Sequence, residues 1–215
     1  MKRQAKISNA VIKRLPRYRR YLRELQKKGI DKISSSEFSN LTGYTASQIR
    51  QDLNNFGGFG QQGYGYSVGK LKKEISHILG LDQRYNVIII GAGRIGQALM
   101  GYKNFMLEGF NVVDIFDNDP LKVGTEIEGR EVQNIAMLDS YLKDKSIDIA
   151  IICTPKEYAQ QSADLLVSFG IKAVWNFAPA DVAVRRGVAV ENVHLSDSLY
   201  VLSYKLKEKI KGTGI

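Results

Sequence analysis

The apolar, β-branched run that closes Asn86–Ile90 leads without a break into GAGRIG, placing Gly91, Gly93 and Gly96 in Gly-x-Gly-x-x-Gly spacing directly after a strand-like segment. An apolar run without polar alternation marks a strand covered on both faces, as in a parallel sheet. The three glycines have separate physical uses: a tight turn, close backbone approach to a pyrophosphate, and close packing of the next helix on the strand. QALMGYKNF follows and can form that helix, while VVDIFD gives a second strand ending in Asp117, 21 residues beyond Gly96. A carboxylate there can accept hydrogen bonds from ribose hydroxyls and repels an added 2′-phosphate, which favours NAD(H) over NADP(H). The loop Gly91, Ala92, Gly93, Arg94, Ile95 and Gly96 is then expected to hold the pyrophosphate at the positive end of the helix dipole. Arg94 either covers the phosphates or adenine, or is simply exposed. IDIAIICTP and IKAVWNFAP read as further strands, and ligands in doubly wound sheets lie beyond the carboxyl ends of strands. Thr154 and Pro155, and the loop Asn176, Phe177, Ala178 and Pro179, are therefore expected to flank the nicotinamide half. Cys153 reads as a small buried hydrophobe, with a redox thiol as the alternative.

Charge separates this region from what precedes it. Residues 1–80 carry 16 Lys/Arg against 5 Asp/Glu, whereas residues 81–215 carry 15 against 17. The excess positive charge is confined to the first third, the footprint expected of a segment that meets a phosphate backbone or an anionic membrane surface.

In that first third, Leu15, Tyr18, Leu22 and Leu25 fall at helical spacing over Leu15–Lys28, with Pro16 acceptable in a first turn and Gly29 as a stop. Ser34–Ser36 offer N-cap hydroxyls for a short second helix, which Gly43 ends. Thr45 with Gln48 gives a capping-box pattern opening TASQIRQDLNNF, whose stripe Ile49, Leu53 and Phe56 is expected to be buried. A short helix, a turn with glycine and a capped third helix make a helix-turn-helix, whose second member would lie in the major groove. Its other face carries Ser47, Gln48, Arg50, Gln51 and Asn54, groups able to bond base edges and phosphates. The glycine-rich GGFGQQGYGYSVG reads as a β-hairpin wing beside that helix, with Gly60, Gln61, Gln62 and Tyr64 expected to contact DNA, the alternative being a flexible linker. Lys70–Leu79 is a further helix, and the boundary between domains is expected near Gly80–Tyr85.

Taken in order, RLPRYRRYL, TASQIRQDLNNFG, GYGYSVGKL, GAGRIG, FDNDPLKVG, TP and NFAP resemble the Rex family of redox-sensing transcriptional repressors over essentially the whole chain. The resemblance implies an α/β protein with an N-terminal winged helix-turn-helix domain (1–80), a Rossmann NAD(H)-binding domain (81–195) and a C-terminal dimerisation helix (196–215) exchanged between subunits. It implies a homodimer that binds palindromic double-stranded operator DNA and releases it when NADH binds, with NADH and NAD+ as effectors rather than redox substrates. It further implies that Tyr102 lies near the nicotinamide and that Arg20 helps couple the domains. Family members often place Asp where this chain has His194, and basic residues where it has Gln51 and Gln62. SDSLYVLSYKLKEKIKG reads independently as an amphipathic helix with Leu199, Leu202, Leu206 and Ile210 on one side.

Two other functions use the same glycine turn. An NAD-dependent dehydrogenase needs a substrate lobe and an acid/base pair, yet about 60 residues follow Thr154 and most complete the sheet. A CoA- or nucleotide-binding domain is the second alternative, which the basic helix-turn-helix argues against. One cysteine and two distant histidines disfavour a disulfide framework or a metal centre. No apolar run is long enough to span a bilayer and the basic N-terminus lacks a signal sequence's apolar core, so a cytoplasmic protein without membrane attachment is expected.

Overall fold

The structure is a computed structural model, which describes residues 7–57, 59–61 and 65–212 and divides into two compact units, Met1–Gln83 and Arg84–Ile215. The first unit contains α1 (Asn9–Lys27), β1 (Lys32–Ile33), α2 (Ser35–Thr42), α3 (Ala46–Asn54), β2 (Gly60–Gln61), β3 (Gly65–Ser67) and α4 (Val68–Ile78). Helix α1 begins six residues ahead of the expected Leu15, capped by the Ser8 hydroxyl on the Val11 amide, so Pro16 lies inside it rather than in a first turn. A helix tolerates an internal proline when packing outweighs the lost amide donor. Here Leu15, Tyr18 and Leu22 beside it are all fully buried.

A capping box closes the start of α2: Ser34 accepts from the Glu37 amide while the Glu37 carboxylate accepts from the Ser34 amide. Gly43, at φ +72°, turns the chain from α2 toward α3, whose N-terminus the Thr45 hydroxyl caps. The unit's core gathers Tyr18 and Leu22 of α1, Phe38 of α2, Ile49 and Leu53 of α3, and Leu71 and Ile75 of α4. The wing is an antiparallel pair, Gly60 opposite Tyr66 and Gln61 opposite Gly65. It gains a third strand that the sequence pattern did not reveal, since β1 pairs Ile33 with Tyr66. Tyr66 drops from β3 into the core, which ties the wing to the helices.

The second unit is a six-stranded, all-parallel sheet formed by β4 (Tyr85–Ile90), β5 (Phe110–Asp117), β8 (Gln133–Asn134), β9 (Ile149–Ile152), β10 (Ala173–Asn176) and β11 (Ala189–Asn192). A small hairpin, β6 (Glu126–Ile127) and β7 (Arg130–Glu131), lies between β5 and β8 in the chain. Helices α5 (Arg94–Met100), α6 (Asn104–Leu107), α7 (Leu138–Asp144) and α8 (Lys156–Ser168) connect the strands, and α9 (Leu195–Gly212) ends the chain. The single helix expected over QALMGYKNF is instead two, because the chain leaves helical geometry after Met100 and restarts at Asn104. Spatial order is β11-β10-β9-β4-β5-β8, so the chain winds outward from β4 in one direction and then from β9 in the other. That reversal is the topological switch point of a Rossmann sheet, where a crevice must open between the ends of β4 and β9. Ile88, Ile90, Phe116 and Ile152 fill one face and Val87, Ile89, Ile115 and Ile151 the other. The β4 run is apolar throughout because both its faces are covered.

Candidate effector and nucleic-acid sites

At the switch point a cleft of about 720 Å³ opens beyond β4 and β9. Gly91, Gly93, Arg94, Ile95, Asp117, Thr154 and Pro155 line it, together with Asn118, Asp119 and Lys122 after β5 and Ile135 after β8. Its volume suits a cofactor-sized ligand. Gly91 sits at φ +105°, and a Cβ there would stand 2.7 Å from the Cys153 carbonyl oxygen, so the β4 and β9 turns abut backbone to backbone. A Cβ on Gly96 would strike the Gly91 carbonyl oxygen, which leaves glycine as the residue that lets α5 pack on its own turn. A Cβ on Gly93 would meet nothing within 4 Å. The middle glycine therefore faces open space, where a phosphate could approach the backbone.

Asp117 shapes this loop directly. Its carboxylate accepts from the Ala92 amide at 2.7 Å and the Asp119 amide at 2.9 Å, and Lys122 Nζ lies 3.2 Å away. Burial pushes this carboxyl up, but the two amides and the ammonium outweigh burial and hold it below its ordinary value. Asp117, Asp119 and Lys122 together leave one negative charge at the end of β5, which opposes a phosphorylated ribose. On the opposite wall the Thr154 hydroxyl is buried and has no hydrogen-bond partner. An orphaned buried hydroxyl is costly unless something completes it. Cys153 lies beside it, its thiol pushed up to about 12 by burial, so it is an inert apolar wall rather than a thiolate.

Several expected residues lie outside the cleft lining. Ala92 and Gly96 are buried within the turn itself, Ala92 bonding Asp117. Asn176 is buried with its amide committed: Nδ2 donates to the Ala180 carbonyl and to Asn192 Oδ1, and Oδ1 accepts from the Ala178 amide. It braces the Phe177–Pro179 loop from below. Tyr102, half exposed, packs edge-on against Phe105 (4.8 Å between ring centres); Phe105 meets Trp175 at 5.8 Å and Trp175 meets Phe177 at 4.6 Å. These aromatics form a row from the end of α5 to the end of β10. One wall of the cleft was missed from the sequence: Tyr158, Gln161, Ser162 and Leu165 of α8. Their spacing of three and four residues is one helical face, a signal available once α8 is placed after Thr154.

In the first unit, Ser47, Arg50, Gln51 and Asn54 are exposed on α3, with Gln48 partly buried. Gly60 and Gln61 form β2, while Gln62 and Tyr64 lie outside the described residues. Beneath α3 sits a buried carboxylate. Asp52 accepts from Arg14 Nε at 2.6 Å, Arg14 Nη2 at 2.7 Å, the Tyr18 hydroxyl at 2.7 Å and Gln48 Nε2 at 2.8 Å. Burial pushes its pKa up, and the bonds from Arg14, Tyr18 and Gln48 more than reverse this, leaving it below the ordinary value. A depressed folded-state pKa adds stability that is present above the unfolded value of about 4 and is lost as pH falls through the lower folded value. Acid unfolding of Asp52→Asn is accordingly expected to lack this component, so that its stability between pH 5 and about 3 falls less steeply than the parent's; parallel curves would contradict this. His194 lies within hydrogen-bond reach of Asp181 (2.8 Å) just ahead of α9.

Residues 6–54 match a family described as a putative DNA-binding protein N-terminus, and residues 82–180 match one described as a CoA binding domain. A redox-sensing transcriptional repressor Rex from Thermoanaerobacter pseudethanolicus is 54% identical over 99% of this chain and 97% of its own length. Another from Clostridium botulinum is 56% identical over 94% and 97% respectively. The chain belongs to the Rex family. Among solved structures, the Rex-family repressor RSP superposes with a TM-score of 0.89 at 52% identity, covering 95% of this chain and 96% of that one. RSP in complex with β-NAD+ and operator DNA gives 0.88 at 53% identity over 98% and 100%, and RSP with β-NADH gives 0.88 at 51% over 95% and 96%. These Rex proteins are named as transcriptional regulators, and the two-part α/β architecture expected from the sequence is the Rex architecture.

Proposed function

We propose that this chain is a redox-sensing transcriptional repressor: a homodimer that holds palindromic operator DNA through its basic first unit and lets go when NADH occupies the cleft of its second. The observation that carries the effector half is the pairing of an open Gly93 with an orphaned Thr154 hydroxyl across one cleft. The loop from Gly91 to Gly96 bears the pyrophosphate on its amides, Asp117 faces the adenosine ribose, and Thr154 and Pro155 lead toward the nicotinamide. The row Tyr102, Phe105, Trp175 and Phe177 gives the ring an apolar surface, which favours the neutral reduced form over the cationic oxidised one. The CoA reading draws on the match over residues 82–180, but the net negative charge around Asp117 disfavours a phosphorylated ribose.

For DNA, the exposed side of α3 supplies Ser47, Arg50, Gln51 and Asn54, and β2 with the wing lies beside it in sequence. A two-fold dimer sets two such helices about 34–36 Å apart, one turn of the duplex, or a multiple of it. Release needs differential affinity: a hundredfold preference of NADH for the released arrangement corresponds to about 2.7 kcal/mol. Among the described residues no helix is long and apolar enough to cross a membrane, and a cytoplasmic setting is part of this reading.

The reading is tested by two measurements on the intact protein. Selection from a random duplex library is expected to enrich a dyad-symmetric sequence, and NADH is expected to quench the single tryptophan, Trp175, in a saturable way at micromolar concentration. No enrichment, or no saturable quenching, overturns the respective half. Thr154→Val is expected to weaken NADH binding about tenfold at thermal stability equal to or above the parent's, since it removes only a hydroxyl that the folded chain leaves unpaired. Titration with parent-like affinity would remove Thr154 from the site.

A further inference from the structure

Helix α3 meets α1 through two kinds of contact. Ile49 and Leu53 pack into the core, and apolar packing has no direction of its own. Beside them, two residues one helical turn apart on α1, Arg14 and Tyr18, both reach Asp52 of α3, which also accepts from Gln48 one turn earlier on its own helix. All four bonds converge on the Asp52 carboxylate, whose side chain is 0% exposed. Arg14 engages it with two separate nitrogens, a planar grip that fixes orientation as well as distance. The other end of the helix is held from the same side: the Arg14 and Arg17 guanidiniums lie 5.9 and 5.2 Å from the centre of the Tyr44 ring, just ahead of the Thr45 cap. A buried ion pair is a weak source of net stability compared with apolar groups of the same shape, so its presence here calls for another role.

We propose that Asp52 is the positioning residue of the DNA-reading helix, fixing the rotation of α3 against α1 and withdrawing Gln48 from base reading. This rests on the reading of α3 as the groove-facing helix. Base contacts then fall to Ser47, Arg50, Gln51 and Asn54, and Gln48, expected from the sequence to be among them, is tied back to Asp52 on its own helix. A helix free to rotate by even part of a residue's arc would present the same side chains to the wrong base edges. Loss of the clamp therefore reduces discrimination between sequences more than it reduces adhesion to DNA, because phosphate contacts tolerate such a shift.

The experiment compares the full-length parent with Asp52→Asn, the paired replacement Arg14→Met/Asp52→Leu, and Gln48→Ala. The probes are the duplex the parent enriches from a random library and a scrambled duplex of equal length, at one fixed salt concentration. For the paired replacement, thermal unfolding close to the parent's is expected together with a fall of about tenfold or more in the ratio of selected to scrambled affinity. Asp52→Asn, which keeps the side-chain shape, is expected to lose selectivity in the same direction and carries the comparison should the paired protein fail to unfold cooperatively. Gln48→Ala is expected to leave the base preference at every position of the selected site unchanged. A folded variant at Asp52 with the parent's ratio overturns the positioning role, and relaxation of one base position in Gln48→Ala overturns the withdrawal of Gln48 from base reading. If the parent itself enriches nothing, the fault lies with the DNA-binding reading rather than with Asp52.

Discussion

Replacing Gly96 with alanine is expected to reduce NADH affinity at least about a hundredfold and to destabilise the second unit by roughly 2–3 kcal/mol. The added methyl would be driven into the Gly91 carbonyl oxygen, and that atom is backbone, so no side chain can swing aside. Gly91 cannot retreat, because its own α-carbon already faces the Cys153 carbonyl and its amide donates to Phe116 O at 2.7 Å. The strain must therefore tilt α5 away from β4 and open the turn whose amides face the cleft. The same displacement pulls Ala92 from Asp117, unlocking the carboxylate that orders the β5 end. NADH titration and thermal unfolding of Gly96→Ala check both parts. Retained affinity within about threefold of the parent would mean that the turn does not hold the dinucleotide. Gly93→Ala gives the contrast: it meets no protein atom, so stability should hold while NADH binding weakens.

The second large effect is expected at α9. Leu199, Leu202, Leu206 and Ile210 recur along one side of this helix, and they are 62%, 58%, 58% and 63% exposed. A contiguous apolar stripe of this kind on a single chain marks an interface. In the proposed dimer a second copy of the chain covers it. The triple replacement Leu199→Glu/Leu202→Glu/Leu206→Glu is therefore expected to sediment as a monomer and to bind operator about a hundredfold more weakly, because a two-fold site gains its affinity from two linked reading heads. None of these residues lines the cleft, so NADH binding by the monomer should persist. Sedimentation as a dimer with the parent's operator affinity would detach α9 from assembly.

What could be read in the sequence followed the features that act locally. The glycine spacing, the apolar β4 run and the acidic end of β5 are consecutive or separated by a fixed crossover length, and each recurs in the structure at the end of its strand. The wing was legible because glycines and aromatics alternate along its sequence. Two-residue β1 was not, since Lys32–Ile33 is too short to show a period and is a strand only because Tyr66 lies opposite Ile33. Pro16 misled for the opposite reason: propensity places it at a helix start, and buried neighbours on both sides override propensity. Asp52 left no trace at all. A charged residue inside an amphipathic helix reads as surface, and its partner Arg14 is 38 residues away. Asn176, expected in a loop flanking the nicotinamide, is instead the last residue of β10, and its hydrogen bonds make it the brace of the loop that follows, which only the folding-back of Asn192 and Ala180 reveals. Lys122 and the α8 wall of the cleft belong to elements whose approach to Gly91 is decided by sheet order, which sequence patterns do not encode.

In the proposed function, a reduced nicotinamide in the cleft changes how the paired DNA-reading units engage the duplex. Occupancy of the selected operator, titrated with NADH at fixed salt and repeated with NAD+, measures this directly. Release by NADH at concentrations where NAD+ leaves the complex intact is expected. Equal release by the two nucleotides, or none by either, would contradict it.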